Sequence, residues 1–208
     1  MGLALCAVLI AGCGGGGTAA TSSSPATSSG APKPSATSTA TPSPSAGGPS
    51  AFAWLHPASP PPAWPLAHLI GTTTLAYPPS WHRIHSDPRT VAAAVVDAHS
   101  GLVVEYLNAT PVQGGETLQN WANFRPDHNR DEGDSHVQVL ASARGLRFRN
   151  GRGSCVIDRY RTPRTSYQEI ACLVRGSRGS SVVVAATLAT RWRRTASQLE
   201  RAVSAYVA

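Results

Sequence analysis

Few residues in this chain could do chemistry, and their spacing narrows what each could do. His82-Arg83-Ile84-His85 places two imidazoles at i and i+3 after Trp81, a spacing that could share a metal or pass a proton. The pair lacks the nearby glutamate of the HExxH arrangement, so ordinary surface histidines are the default reading. Asp127, Asn129 and Asp131 offer oxygens at positions 1, 3 and 5, as calcium loops do. However, position 6 is Glu132, the glycine comes one residue late at Gly133, and position 12 is Gln138 instead of a bidentate glutamate. A solvated turn is the simpler reading. The serines around Ser177, in GSRGSS, lack the GxSxG frame of a nucleophile elbow. Cys155 and Cys172 lack the paired CxxC spacing of a zinc site. The expectation is therefore no catalytic residue, no metal ligand and no cofactor.

Binding is easier to place than catalysis. Trp81 and Trp121 could line a ligand groove, although tryptophans more often fill a core. Arg147, Arg149, Arg159 and Arg161 fall on adjacent expected hairpins. They could form a basic patch for an anionic wall polymer or phospholipid headgroup. Exposed strand arginines also keep sheet edges from pairing. The candidate binding residues are thus Trp81, Trp121, Arg147 and Arg149.

These side chains need a scaffold, and hydrophobic periodicity supplies one. TTTLAY ends a short β run before PPSW, Thr90–Val96 reads as a strand, and Leu102–Ala109 reads as its hairpin partner across His99-Ser100-Gly101. ETLQNWANF has apolar residues at Leu118, Trp121, Ala122 and Phe124, which is helical spacing, and this helix should end near Pro126. DHNRDEGD then reads as a polar loop. In the next strand Val137 and Val139 have one parity, while Leu146 and Phe148 have the other, so a bulge is expected at Gly145. Asn150-Gly151 is a type I′ hairpin signal, pairing Arg147–Arg149 with Arg152–Ser154.

Cys155–Arg161 and Ser166–Leu173 read as strands joined by Thr162-Pro163-Arg164-Thr165. If Arg161 faces Ser166, then Tyr160 faces Tyr167 and Cys155 faces Cys172, close enough for a bridge. SVVVAATL is a central strand by its continuous apolar run. The closing segment RWRRTASQLERAVSAYV aligns Trp192, Ala196, Leu199, Val203 and Tyr206 on one helical face, which would pack on the sheet. The fold class is α+β: a mostly antiparallel sheet flanked by a mid-chain helix and a C-terminal helix.

The N-terminal third is different. Residues 1–12, MGLALCAVLIAG, carry no charge and are too short to span a bilayer, which takes about 20 apolar residues. They fit the apolar region of a secretory signal. Ile10-Ala11-Gly12-Cys13 resembles the lipobox of bacterial lipoproteins. That resemblance implies cleavage before Cys13 and diacylation of its thiol, and two acyl chains anchor firmly where one would be marginal. The departure is the lack of Lys or Arg before the run, which points to a start further upstream or a tolerant signal. Residues 13–65 then read as the lipidated N-terminus and a disordered tether. Residues 14–50 are nearly all Gly, Ser, Thr, Ala and Pro with Lys33 their only charge, and PASPPPAWP should stiffen. A coil of that length spans roughly 40 Å, and a Ser/Thr/Pro stalk is also an O-glycosylation candidate. An exported domain meets an oxidising compartment, so Cys155 and Cys172 are expected to form a disulfide.

Residues 66–208 make one ordinary domain of the 208-residue chain. Formal net charge is +7 and the pI is near 9.8. That balance permits contact with anionic lipid or wall polymer. An anchored, exported protein rarely meets nucleic acid, so none is expected as a partner.

The order of elements resembles the PsbP-like fold, and most of all actinobacterial surface lipoproteins built on it. The resemblance rests on Leu75-Ala76-Tyr77-Pro78-Pro79-Ser80-Trp81, the helix with Trp121, the Asn150-Gly151 hairpin, and the closing strand and helix, and it covers residues 70–207. It implies a domain that binds partners and does no catalysis, and it transfers no functional residue. The expected function is a lipid-anchored, non-catalytic binding or accessory module outside the cytoplasmic membrane. Its partners would be the membrane, through the diacylglyceryl Cys13, and an envelope protein or wall component. Two alternatives stand beside it. One is a carrier of a small apolar ligand or lipid, which needs a deep apolar cavity. The other is an envelope hydrolase or transferase using a histidine, which needs His82 and His85 in a cleft with a carboxylate.

Overall fold

The structure is a computed structural model that describes residues 49–69, 73–177 and 179–208. The signal segment, the lipidation site Cys13 and the tether through residue 48 lie outside the described residues. Two short strands, β1 (Leu66–His68) and β2 (Thr74–Ala76), pair with each other. The main sheet holds β3 (His82–Arg83), β4 (Val91–Val96), β5 (Val103–Pro111), β6 (Ser135–Phe148), β7 (Gly151–Arg161), β8 (Ser166–Gly176) and β9 (Gly179–Leu188). Their order is β3-β4-β5-β9-β8-β7-β6, and every pairing is antiparallel. Helix α1 (Trp121–Asp131) lies mid-chain and α2 (Trp192–Ser204) near the C-terminus. The fold is α+β.

Strand β9 is the middle strand, and its run Val182–Ala186 is buried on both faces. That explains an apolar sequence without alternation. In the β7–β8 hairpin Arg161 pairs with Ser166, Tyr160 with Tyr167 and Cys155 with Cys172. The two cysteines are disulfide-bonded, with Cα atoms 4.1 Å apart. At Gly145 the backbone is left-handed (φ 70°) and the β6–β7 register shifts between Ala143 and Leu146. This bulge brings Phe148 to the same core as Ala143 despite the opposite parity. A second shift between Val139 and Ala141 does the same in reverse.

The larger core lies between the sheet and α2. Leu199, Val203 and Tyr206 pack there against Leu107, Ile170, Val174 and Val183. The Tyr206 hydroxyl bonds to Ser181 Oγ at 2.8 Å, so its burial leaves no polar orphan.

Three expectations are corrected. The tether does not extend to residue 65: Phe52 and Leu55 are 2% and 7% exposed in this core, and the Ala58 amide donates to the Ser204 carbonyl. AFAWL is the one apolar cluster in that polar tract, and burying a Phe or Leu side chain gains about 1.5–3 kcal/mol. Nor does α1 end near Pro126. It starts at Trp121, after Thr117 and Asn120 exchange side-chain-to-amide bonds of 2.7 and 3.1 Å, and runs through Pro126 to Asp131. Pro126 lacks the N–H that would reach Ala122, and the inward packing of α1 on both sides of it offsets that loss. Finally, the β6–β7 turn centres on Arg149-Asn150, with Phe148 opposite Gly151, and only Asn150 has positive φ (61°). Gly151 serves close approach instead: a Cβ there would sit 2.7 Å from the Arg175 carbonyl oxygen.

Candidate cleft under helix α1

Strand alternation sends a second set of side chains to the face opposite α2. They are Tyr106, Asn108 and Thr110 on β5; Val182, Val184 and Ala186 on β9; Glu169, Ala171 and Leu173 on β8; and Val156, Asp158 and Tyr160 on β7. One rung runs Tyr106, Ala186, Glu169, Asp158 across four strands. Helix α1 packs over β6, β7 and β8 and leaves the β5 side open. The result is a cleft of about 510 Å³. Trp121, Phe124, Arg125 and His128 form its helical wall, Asp87 and Thr90 the opposite wall, and Gln113, Gly114 and Glu116 one end.

The apolar half of this face is held by Trp121. It is 2% exposed, packs on Val156, Ala171, Leu173, Val182 and Val184, and donates Nε1–H to the Ala171 carbonyl at 2.9 Å. The polar half centres on Arg125. Its Nε and Nη2 donate to the two oxygens of Glu169 at 2.7 and 3.0 Å. The Arg125 side chain is 13% exposed and that of Glu169 is 0%, so this is a desolvated, two-pronged pair. Burial pulls the guanidinium pKa down, but the Glu169 charge and hydrogen bond outweigh it, so it is raised.

Asp158 lies beside Glu169 with no exposure. Burial, then the Glu169 charge, pushes its carboxyl far above the carboxylate range, so it is protonated at neutral pH. The Asn129 amide reaches Asp158 Oδ2 at 3.4 Å, while among the described residues Oδ1 of each has no donor partner. Protonation of Asp158 accounts for the close pairing of two carboxyls that could not both be charged. Burial also raises the Tyr106 hydroxyl to about 12 and the Tyr160 hydroxyl well above its usual range, so both remain protonated donors. Further along α1, His128 and Glu132 pair at 3.2 Å; their hydrogen bond raises the histidine and lowers the glutamate.

Of the candidate binding residues named from the sequence, only Trp121 lines this cleft. Trp81 is 3% exposed in the α2-side core. Arg147 is exposed and Arg149 half-buried at the β6–β7 turn, on the far edge of the sheet. His82 and His85 are exposed, on and just after the opposite edge strand β3. Asp127, Asn129 and Asp131 sit on a helix, where Asn129 turns inward to Asp158 and the two aspartates stay exposed, so their oxygens do not converge. Among the described residues no three His, Cys, Asp or Glu side chains gather as a metal site, and no helix is long and apolar enough to cross a membrane.

Sequence reasoning missed Arg125, Asp158 and Glu169. Asp158 and Glu169 are the only carboxylates between Asp134 and Glu200. The register that pairs Cys155 with Cys172 also pairs Asp158 with Glu169, on strands whose neighbours are apolar. Two acids facing each other inside a sheet are the signal that was there to read.

No family model matches the chain, and no curated protein does. Solved structures do. The protein of unknown function PA94 from Pseudomonas aeruginosa aligns over 70% of this chain and 96% of its own, at 9% identity and TM-score 0.46. A structure from Bacteroides thetaiotaomicron aligns over 65% of this chain and 44% of its own, at 10% identity and TM-score 0.37. At those scores neither bears on what this chain does.

Proposed function

We propose that the protein is a lipid-anchored, non-catalytic binding module of the PsbP-like, actinobacterial surface-lipoprotein type. Cys13 holds it to the outer side of the cytoplasmic membrane, and the cleft under α1 takes a small polar component of the envelope. The observation that carries this reading is the cleft itself: mainly polar walls, with Phe124, Val182 and Val184 as the apolar part, form one pocket of ligand size. The non-catalytic part has its own support. Both Glu169 oxygens are taken by Arg125, and Asp158 is sealed from solvent, so neither is placed to accept a substrate proton. His82 and His85 do not line this cleft. An apolar lipid is the weaker ligand, because it would leave Arg125 Nη1 and the Tyr160 hydroxyl without hydrogen-bond partners.

Two measurements test the reading. The intact mass of the membrane-extracted protein should correspond to a chain starting at Cys13 with attached acyl groups, and Cys13→Ala should abolish membrane retention. An unlipidated, soluble wild-type chain would refute the anchor. For the cleft, native mass spectrometry of the full-length protein in detergent, after exposure to a polar envelope extract, should give an adduct that Tyr106→Phe weakens. No adduct, or one indifferent to that substitution, would refute the site.

A further inference from the structure

The cleft has two unlike ends. Tyr106 and Thr110 lie four residues apart on β5, about 13 Å at strand rise. Near Tyr106 the end is balanced in charge, because Glu169 is matched by Arg125. It still has hydrogen bonds to give. Arg125 spends Nε–H and one Nη2–H on Glu169, and among the described residues none bonds to Nη1 or to the Tyr160 hydroxyl. Such an end favours neutral oxygens over an anion, which would face Glu169.

The other end is acidic. Glu116 lines it, Asp87 lines the wall opposite α1, and among the described residues neither has a cation within ion-pair distance, while Glu132 has His128. Glu116 accepts from the Gln113 and Gly114 amides at 2.6 and 2.8 Å, and a carboxylate with about four lone-pair sites can accept more. Acid is thus in excess in the cleft of a chain whose formal net charge is +7. Val184, opposite Asn108, lies between the two ends, and Val182, opposite Thr110, and Phe124, against Gly115, lie toward the acidic one; together they suit a carbon skeleton.

We infer that the cleft binds a small, hydroxyl-rich molecule bearing an ammonium group, the chemistry of an amino sugar, with hydroxyls at Arg125, Tyr106 and Tyr160 and the ammonium toward Asp87 and Glu116. This rests on the cleft being the ligand site and adds the ligand's class.

The test is isothermal titration of the full-length protein in detergent, at low salt, with the β-1,4-linked disaccharide of glucosamine. Its N-acetylated counterpart, which has the same skeleton without the charge, is the control. The charged disaccharide should bind, and N-acetylation should weaken it at least tenfold. Asp87→Asn, an exposed side chain free to change, should weaken it about threefold, less so as salt rises. Tyr106→Phe should weaken both forms. Equal or tighter binding of the N-acetylated form, still sensitive to Tyr106→Phe, would overturn the charge assignment and leave the cleft as a ligand site. Binding indifferent to both substitutions would place the sugar elsewhere and overturn the proposal. Failure of either sugar to bind would overturn it too, and the envelope-extract adduct would then decide separately whether the cleft holds anything.

Discussion

The two faces of one sheet are built for different ends. Each of β5, β7, β8 and β9 contributes alternate residues to both. Toward α2 those residues are Leu107, Cys155, Ile157, Ile170, Cys172, Val174, Val183 and Ala185, closed over by Leu199, Val203 and Tyr206. Toward α1 the same strands put Tyr106, Asp158, Tyr160 and Glu169 beside a half-covered cleft. The first face is a packed core whose energy is mostly hydrophobic. The second holds desolvated charge, which contributes little net stability when intact and costs heavily when half of it is removed. The comparison teaches where to look for function: on the face where burial has been traded for polar chemistry.

Substitutions can break that contrast, and the largest effect should come from the α1 face. Arg125→Met leaves Glu169 buried and unmatched, and denaturant unfolding should show a loss of about 3–5 kcal/mol. Adding Glu169→Leu should recover most of it, since a matched apolar pair avoids the desolvation cost. If the single change were mild, the pair would not be desolvated as described. On the α2 face, Leu199→Ala should cost about 3 kcal/mol by removing a side chain with 0% exposure. No second substitution there should rescue it by charge, and ligand affinity should be unchanged.

Reducing the Cys155–Cys172 bridge should have a somewhat smaller effect. The residues are 17 apart in sequence, which corresponds to about 2–3 kcal/mol, and the melting temperature should fall under reductant. The last effect is a slope with pH. Asp158 has an ordinary carboxyl value of 3.8 and a folded value of about 9. Between those limits the folded chain binds a proton that the unfolded chain has lost. Stability is therefore greatest below the window and falls as pH rises through it. Asp158→Asn keeps a donor toward Glu169 and should flatten the profile. Asp134, raised by burial to about 6, should leave a shallower slope of the same sign.

The α2 face was the more legible of the two. Its helix, central strand and hairpin register follow from apolar periodicity and from two cysteines that agree with one turn. The cleft was harder to see because its parts come from segments far apart in the chain. Arg125 sat at the presumed end of a helix that in fact continues through Pro126. Asp158 and Glu169 looked like ordinary strand punctuation until the ladder placed them on one rung. Trp121 was visible as an aromatic on a helix, yet nothing local distinguished it from Trp81, which fills the other core. Phe52 and Leu55 were hidden by the composition around them, since a window dominated by Pro, Ser and Gly reads as tether.

The most direct test of the account is the arginine Nε–H spectrum of selectively labelled full-length protein, recorded while a polar envelope extract is added. The sequence points to Arg147 and Arg149 as a basic patch, and the structure points to Arg125 in the cleft. The Arg125 resonance should move while those of Arg147 and Arg149 stay still. Movement at Arg147 and Arg149 with Arg125 unmoved would contradict it, and would place recognition on the hairpin edge instead of the cleft.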